Sequence, residues 1–350
     1  MRTTAQIIAG LPHPRVRDLP SPVYTPVEKD RPNNIALAVE SMKQHMSDEG
    51  WQIMAGLESA GYHLSGYGLD GQVDVVQLIH SYNPQVVVVQ DKCEWDVVKP
   101  GDFREPLARF LNVDKLATCP DIFKVAVAKD IHYDVDYRRA HAAEIGCHAW
   151  IIYYHPKVVM HLLPFMREQH LIRTTHSVDP KVVPQFTPAS QRHGCLLSGA
   201  ISGAYPFRAV LRTHLGDLPD TTYLRHPGYN RNGCCTPKYL QELSKHKVAI
   251  CTSSKWGHLF RKIIEATACG CIVVTDLPDD DIAPYIDGNL VRVSPNIKPA
   301  ALGDMIRKLY DVYDEQVQRD YAAVACLRYD YKVVGARLAQ DIEDLRRRYQ

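Results

Sequence analysis

The chain of 350 residues is too long for one ordinary hydrophobic core and suits two domains of roughly 150 to 180 residues each. Apolar residues make up 45% and charged residues 23% of it, close to the averages for globular proteins, which excludes extensive disorder. The formal net charge of +1 excludes a uniformly basic surface for binding nucleic acid.

The N-terminal half reads as an irregular arm followed by an α/β domain. Residues 1–33 are rich in proline and predict no regular element. From residue 34 to residue 178, short β-branched runs alternate with longer amphipathic segments, which predicts a Rossmann-like domain with a parallel sheet. Its predicted strands are 35–39, 86–91, 124–130, 149–155 and 171–177. Between the first two, Trp51, Met54 and Leu57 have helical spacing.

A second α/β domain follows a linker. Residues 179–194 contain three prolines and predict an irregular connection. Alternation resumes in residues 195–325, which predicts a second Rossmann-like domain, and residues 326–350 predict a C-terminal helix. The predicted strands of the second domain are 195–202, 221–227, 247–254, 271–278 and 289–295.

Two compositional features bear on location. The longest apolar runs, such as CHAWIIYY, fall short of the roughly 20 residues that a membrane-spanning helix needs. The ten cysteines include no CxxC pair, so we expect reduced thiols in a cytoplasmic protein (the host cytoplasm if it is viral) and no metal centre.

Small and basic residues follow the first strand of the second domain. In parallel sheets, ligands bind at the carboxyl ends of the strands, where helix N-termini offer free N–H groups. The run SGAISGAYPFR places Gly199 and Ser202 at such an end and Arg208 one turn into the next helix. This pattern is typical of a phosphate cradle, although the glycines could simply form the turn. Ser254, after another predicted strand, could cap a helix or bind the same ligand.

The run RKIIEATACGCIVVTD holds a glutamate inside a helical, largely apolar segment. Lys262 and Glu265 lie three residues apart and share a helix face, so a surface salt bridge worth a few tenths of a kcal/mol is one explanation. The other is that Glu265 holds a ligand where the helix meets the sheet.

The sequence EATACGCIVVTDLP resembles the donor-sugar signature of GT-B glycosyltransferases. The resemblance extends through SGAISGAYPFR, RHPGYN and KVAICTSS, over about residues 195–330. This region is similar to members of glycosyltransferase families 1 and 4 and to spore-maturation-type proteins. It implies two Rossmann-like domains that face each other across a cleft, with a C-terminal helical segment that crosses back.

The resemblance also implies roles for individual residues. Glu265 would contact the ribose of a nucleotide-sugar, and Lys262, with Arg261, would contact the diphosphate. The further donor-binding candidates are Ser202, Arg208, His226 and Ser254. Retaining members have another glutamate eight residues before the first, where this chain has Gly257. The stereochemical outcome therefore stays open.

The N-terminal domain would then carry the acceptor site and the catalytic groups. Polar residues at its predicted strand ends are Asp91, Glu94, Asp96, Asp130, His132, Asp134, His155, His176 and Asp179. We predict that His132, which lies between acidic residues, and Glu94 are catalytic, and that most of the others are structural. The acidic triplets at 134–136 and 279–281 match metal-binding DxD patterns, but two nucleotide-type domains favour metal independence.

The leading hypothesis is a hexosyl- or pentosyltransferase that moves a sugar from a donor such as a UDP- or GDP-sugar to a hydroxyl acceptor, without a further cofactor. The acceptor is a glycan, a metabolite or a hydroxymethylated base in DNA. Residues that could line a DNA groove are Arg104, Arg109, Tyr133, Tyr137, Arg138 and Arg139. A noncatalytic nucleotide-binding partner of another transferase is the third alternative.

Overall fold

The computed structural model describes residues 34–37, 49–65, 73–90, 110–129, 131, 135–226 and 235–349. These residues form two compact α/β units. The first unit comprises the described residues up to 175 together with 331–349, and the second comprises 176–226 and 235–330. The chain passes between them at 175–176 and 330–331. The corresponding boundaries predicted from the sequence are 178 and 325.

The first unit is built on a six-stranded parallel sheet. Its strands are β1 (Ile35–Leu37), β2 (His63–Ser65), β4 (Val86–Gln90), β6 (Phe123–Ala128), β7 (Ala149–Ile152) and β8 (Leu171–Arg173), in the order β2-β1-β4-β6-β7-β8. Its helices are α1 (Glu49–Ser59), α2 (Val75–Tyr82), α3 (Val135–Ile145), α4 (Pro156–Leu162) and α10 (Tyr331–Tyr349). A small parallel pair is formed by β3 (Val73–Asp74) and β5 (Phe110–Leu111). The central strands are buried along their whole length, as expected where both faces of a parallel sheet are covered.

Helices α1 and α10 pack at a glycine-to-glycine crossing. A Cβ built on Gly335 would lie 2.2 Å from the backbone carbon of Gly56, and one built on Gly56 would lie 2.5 Å from the carbonyl oxygen of Tyr331. Next to the crossing, the rings of Trp51 and Tyr331 lie 5.2 Å apart. The two backbones can approach this closely only because both positions lack a side chain.

Gly335→Ala is therefore expected to lower the free energy of unfolding by about 2 kcal/mol. Alanine favours a helix over glycine by about 1 kcal/mol, but here the added methyl meets backbone atoms that cannot rotate away. Urea unfolding measures the change. Gln340→Ala, at an exposed position of the same helix, is the control and should change stability by no more than about 0.5 kcal/mol. A Gly335→Ala protein as stable as the wild type would contradict the crossing.

The second unit is a doubly wound five-stranded parallel sheet. Its strands are β9 (His193–Gly199), β10 (Thr221–Arg225), β11 (His246–Ile250), β12 (Ile272–Thr275) and β13 (Leu290–Arg292), in the order β10-β9-β11-β12-β13. Its helices are α5 (Pro206–Thr213), α6 (Thr236–Leu243), α7 (Arg261–Ala268), α8 (Pro299–Asp311) and α9 (Glu315–Arg328). Buried residues of α6, α7 and α9 share one core cluster, and those of α5 and α8 share the other. The strand order reverses between β9 and β11, so a crevice is expected at their carboxyl ends.

All ten strands predicted from β-branched runs are present, and α1 confirms the predicted helix around Trp51. Strands β2, β3 and β5 were not predicted from the sequence, and each is only two or three residues long. The predicted linker lies within the second unit and contains a 3-10 turn, Ala189–Gln191. Residues predicted as a single C-terminal helix belong to two helices, α9 and α10. None of the helices in the described part of the chain is long and apolar enough to cross a bilayer.

Candidate functional site

Basic side chains lie together where the strand order of the sheet in the second unit reverses. Strand β9 ends at Gly199 and strand β11 at Ile250, and these strands are neighbours in the sheet. The helices that follow them, α5 and α7, have no side-chain cap at their N-termini. Backbone N–H groups of an uncapped first turn attract anions.

Arg208 joins the two strand ends. It lies in the first turn of α5 and is only 4% exposed. Its Nε donates to Thr252 Oγ1 at 2.9 Å, its Nη1 to the Ala200 carbonyl at 3.0 Å and its Nη2 to the Thr252 carbonyl at 3.3 Å. The guanidinium carbon lies 4.1 Å from the centre of the Tyr205 ring. Burial lowers the pKa of Arg208, but a guanidinium stays protonated at neutral pH. Arg208 is therefore a fixed positive charge.

Lys262, in the first turn of α7, points to the end of β9. Its Nζ donates to the Ser198 carbonyl at 3.2 Å and lies 3.4 Å from Ser198 Oγ. The side chain is half-buried. Burial, together with the neighbouring charge of Arg208, lowers the pKa of the Lys262 ammonium to about 7. Its protonation therefore changes within the physiological pH range, and a bound anion would favour the charged form.

Gly199 is the point on which the two cations converge. Its φ is +117°, and a Cβ built there would lie 2.5 Å from both Arg208 Nη1 and Lys262 Nζ. His226 follows β10, and burial, together with the positive charges of Lys262 and Arg208, lowers the pKa of its imidazole. Two basic residues from two helices thus converge on one glycine, which is a site suited to a multiply charged anion.

The loops after β9 and β11 are joined to each other at this edge. The Lys255 backbone N–H donates to the Ala204 carbonyl at 2.9 Å. Ser254 is buried, and its Oγ lies 3.4 Å from His258 Nδ1 and accepts from the Trp256 N–H at 3.3 Å. Ser202 is exposed, and its Oγ accepts from the Ala204 N–H at 3.3 Å. Both predicted donor-binding serines therefore lie at the same edge as the cations and shape their own loops.

Glu265 is buried rather than exposed, with 4% of its surface accessible. Its Oε1 lies 2.8 Å from Arg261 Nε, one helical turn earlier, and both side chains are buried. The surface salt bridge with Lys262 that the spacing allowed is wrong, because Arg261 is the partner and the pair is internal. The predicted role of Arg261 at the diphosphate loses support for the same reason.

The position of the second glutamate of retaining enzymes lies in the loop after β11. Gly257 has a φ of +52°, and a Cβ there would lie 2.6 Å from Pro278 Cγ. A glutamate would therefore strain this loop and collide with Pro278. The loop is built for glycine.

The acidic triplet 279–281 does not form a cluster. Asp279 and Asp280 are exposed, whereas Asp281 is buried and accepts from the Leu259 N–H at 3.0 Å. Among the described residues, no group of three or more His, Cys, Asp or Glu side chains could hold a metal ion. Nearby, Asp276 accepts from the Ser253 N–H at 2.5 Å, and burial raises its pKa. Asp276 is not among the residues predicted from the sequence, although it directly follows a β-branched strand, β12.

Both predicted catalytic residues, His132 and Glu94, lie outside the described residues, as do Asp91, Asp96, Asp130 and Asp134. His155 accepts from the Lys157 N–H at 3.3 Å and caps α4, and Asp179 accepts from the Lys181 N–H at 3.0 Å. His176 belongs to the second unit, where its ring lies 6.4 Å from that of His258.

One of the residues predicted to line a DNA groove is not available for that role. Arg138 is buried in α3, so it neither lines an open groove nor lies on a solvated face. Arg139 is exposed, with its guanidinium carbon 5.3 Å from the centre of the Phe165 ring. Arg104, Arg109, Tyr133 and the side chain of Tyr137 lie outside the described residues.

Solved structures of similar fold exist, although no protein-family model and no curated protein matches the sequence. HepE of Anabaena in complex with UDP-glucose is 12% identical, with a TM-score of 0.56 over 89% of this chain and 99% of that one. A glycosyltransferase of Rickettsia africae is 10% identical, with a TM-score of 0.55 over 90% and 99%. Sucrose-phosphate synthase of Thermosynechococcus elongatus is 11% identical, with a TM-score of 0.54 over 89% and 99%. The predicted GT-B fold is confirmed.

Proposed function

We propose that this GT-B chain is a glycosyltransferase that moves a sugar from a nucleoside-diphosphate sugar to a hydroxyl acceptor. The observation that carries the proposal is the convergence of Arg208 and Lys262 on Gly199, at the point where the strand order of the second unit's sheet reverses. A similar fold binds UDP-glucose in HepE. A donor diphosphate fits a site with two cations and uncapped helix N-termini.

In this proposal each basic group has a part in the reaction. When the bond between the sugar and the diphosphate breaks, negative charge grows on the leaving diphosphate. Arg208 supplies a permanent charge and directional donors, Lys262 supplies a point charge, and His226, whose pKa both charges lower, is proposed as a third contact. Neutralisation by these side chains is the basis for proposing that no metal ion is required.

The remaining donor residues have supporting roles in this proposal. Glu265 binds the ribose, as the family resemblance implies, and Arg261 holds its carboxylate in place. Ser202 and Ser254 fix the loops around the diphosphate. His132 and Glu94 remain the proposed catalytic residues for activating the acceptor hydroxyl.

The test is a thermal-shift screen of the purified chain against UDP-, GDP- and other nucleotide sugars, followed by calorimetry on each that raises the melting temperature. Stabilisation by one nucleotide series, with slow hydrolysis of its sugar, would support the enzyme. Binding without turnover towards any acceptor or water would favour a noncatalytic nucleotide-binding protein. No stabilisation by any donor at millimolar concentration would contradict the proposal.

Donor affinity is expected to fall about tenfold between pH 6 and pH 8. The charged form of Lys262 binds the diphosphate, and with a pKa of about 7 that form dominates at pH 6 and is scarce at pH 8 in the empty site. Calorimetry should use an intact nucleotide sugar, because its diphosphate does not titrate in this range. In Lys262→Met the affinity should be lower and nearly independent of pH. A wild-type affinity that rises with pH would contradict the assignment.

A further inference from the structure

Lys262 is held by neutral groups rather than by a carboxylate. Its Nζ bonds to Ser198, whereas Glu265 on the same helix is paired with Arg261. The charged and titratable groups around the ammonium are Arg208 on α5, Tyr239 on α6, Cys251 after β11, Glu265 on α7 itself and His226 after β10. Such an environment leaves the positive charge available to a ligand but makes it costly to maintain when the site is empty.

Tyr239 lies close to this lysine and is also linked to it through Ser198. Its hydroxyl lies 3.1 Å from Ser198 Oγ, the same atom that Lys262 Nζ approaches, and its ring centre lies 5.7 Å from Nζ. An ammonium only donates, so Ser198 Oγ must accept from Lys262, and the tyrosine hydroxyl orients that serine. The ring face supplies a weak electrostatic attraction for the cation.

Tyr239 stays neutral while it does this. Burial raises the pKa of its hydroxyl well above the usual value. A carboxylate in its place would hold Lys262 more strongly but would cancel the charge that a diphosphate needs. A neutral ring and hydroxyl favour the ammonium without neutralising it.

We infer that Tyr239 is a positioning residue that, with Ser198, favours the charged form of Lys262 and directs it at the anion site beside Gly199. The role concerns Lys262 itself and is measurable without a nucleotide. Only its consequence for donor affinity rests on the proposed function.

The direct test is a titration of Lys262 in the full chain labelled with ¹³C at the lysine ε-carbons, with its signal identified by its loss in Lys262→Met. In Tyr239→Phe, which keeps the ring, the midpoint should fall by roughly 0.4 to 1 pH unit, the equivalent of one hydrogen bond. In Tyr239→Leu, which also loses the ring, it should fall further. Tyr310→Phe, which removes a hydroxyl bonded to the Pro219 carbonyl, should leave the midpoint unchanged.

The binding test compares donor affinities at two pH values. At pH 8, Tyr239→Phe should bind the nucleotide sugar about two- to ninefold more weakly than the wild type, and at pH 6 within about twofold, because at least about half of Lys262 is then protonated in both. A merely structural role would weaken binding equally at both. An unchanged Lys262 midpoint in both Tyr239 variants would overturn the inference, whether or not a donor binds. Failure of the wild type to bind any donor would overturn only the proposed function.

Discussion

Replacing Gly199 with alanine is expected to abolish donor binding, with an affinity loss of about 100-fold or more. The added methyl would lie 2.5 Å from both Arg208 Nη1 and Lys262 Nζ, so both cations must move from the place where they converge. Each charge-assisted hydrogen bond to a diphosphate is worth about 1.5 to 3 kcal/mol, and two are lost together. The φ of +117° adds strain of about 1 to 3 kcal/mol for a residue with a Cβ.

Calorimetry with the best donor from the screen measures this loss, and circular dichroism verifies that the variant is folded. Gly216→Ala is the matched control, because a methyl there meets no heavy atom within 4 Å. It should bind donor as the wild type does. A folded Gly199→Ala protein with wild-type affinity would show that the diphosphate does not lie between these two cations.

Glu265→Ala is expected to lower the free energy of unfolding by about 3 to 5 kcal/mol. The substitution removes the carboxylate that pairs with the guanidinium of Arg261, which is only 8% exposed. Most domains are stable by only about 5 to 15 kcal/mol, so this variant should unfold at a much lower urea concentration. Glu265→Gln keeps an oxygen near Arg261 Nε and should lose less, about 1 to 2 kcal/mol.

The two substitutions separate the structural role of Glu265 from its proposed role at the ribose. Urea unfolding should rank them as stated, and Asp304→Ala, which breaks an exposed pair with Arg307, should cost no more than about 1 kcal/mol. Donor affinity is then measured on the folded Glu265→Gln protein, where weaker binding supports the ribose contact. An alanine variant as stable as the wild type would contradict the buried pair.

The fold could be predicted from the sequence because buried parallel strands consist of continuous runs of β-branched residues. Each such run gave a strand, whereas β2 and the pair β3 and β5 are too short to show a period. Within the site, the glycine, the arginine and the lysine were visible in the motifs. The partner of Glu265 was not, since Lys262 three residues before it and Arg261 four before it are both permitted neighbours on a helix.

The positions of two other residues carry no signal in the local sequence. Tyr239 contacts Ser198 only because α6 packs beside α7, and nothing in the sequence of α6 indicates that contact. Arg138 looked like a surface charge because arginine is rarely buried, yet α3 holds it inside the first unit. Tertiary packing, rather than local pattern, decided both outcomes.

The glycine crossing of α1 and α10 has a consequence for how the chain matures. The described residues 176–226 and 235–330 form a unit of their own, inserted in the chain between α1 and the helix that covers it. During synthesis, therefore, the second unit can complete its sheet while the first still lacks α10. Pairing Gly56 with Gly335 closes a loop of most of the chain, so it is expected to be a late, entropically costly step. Until residues 331–349 emerge, α10 cannot cover the face of α1 around Gly56.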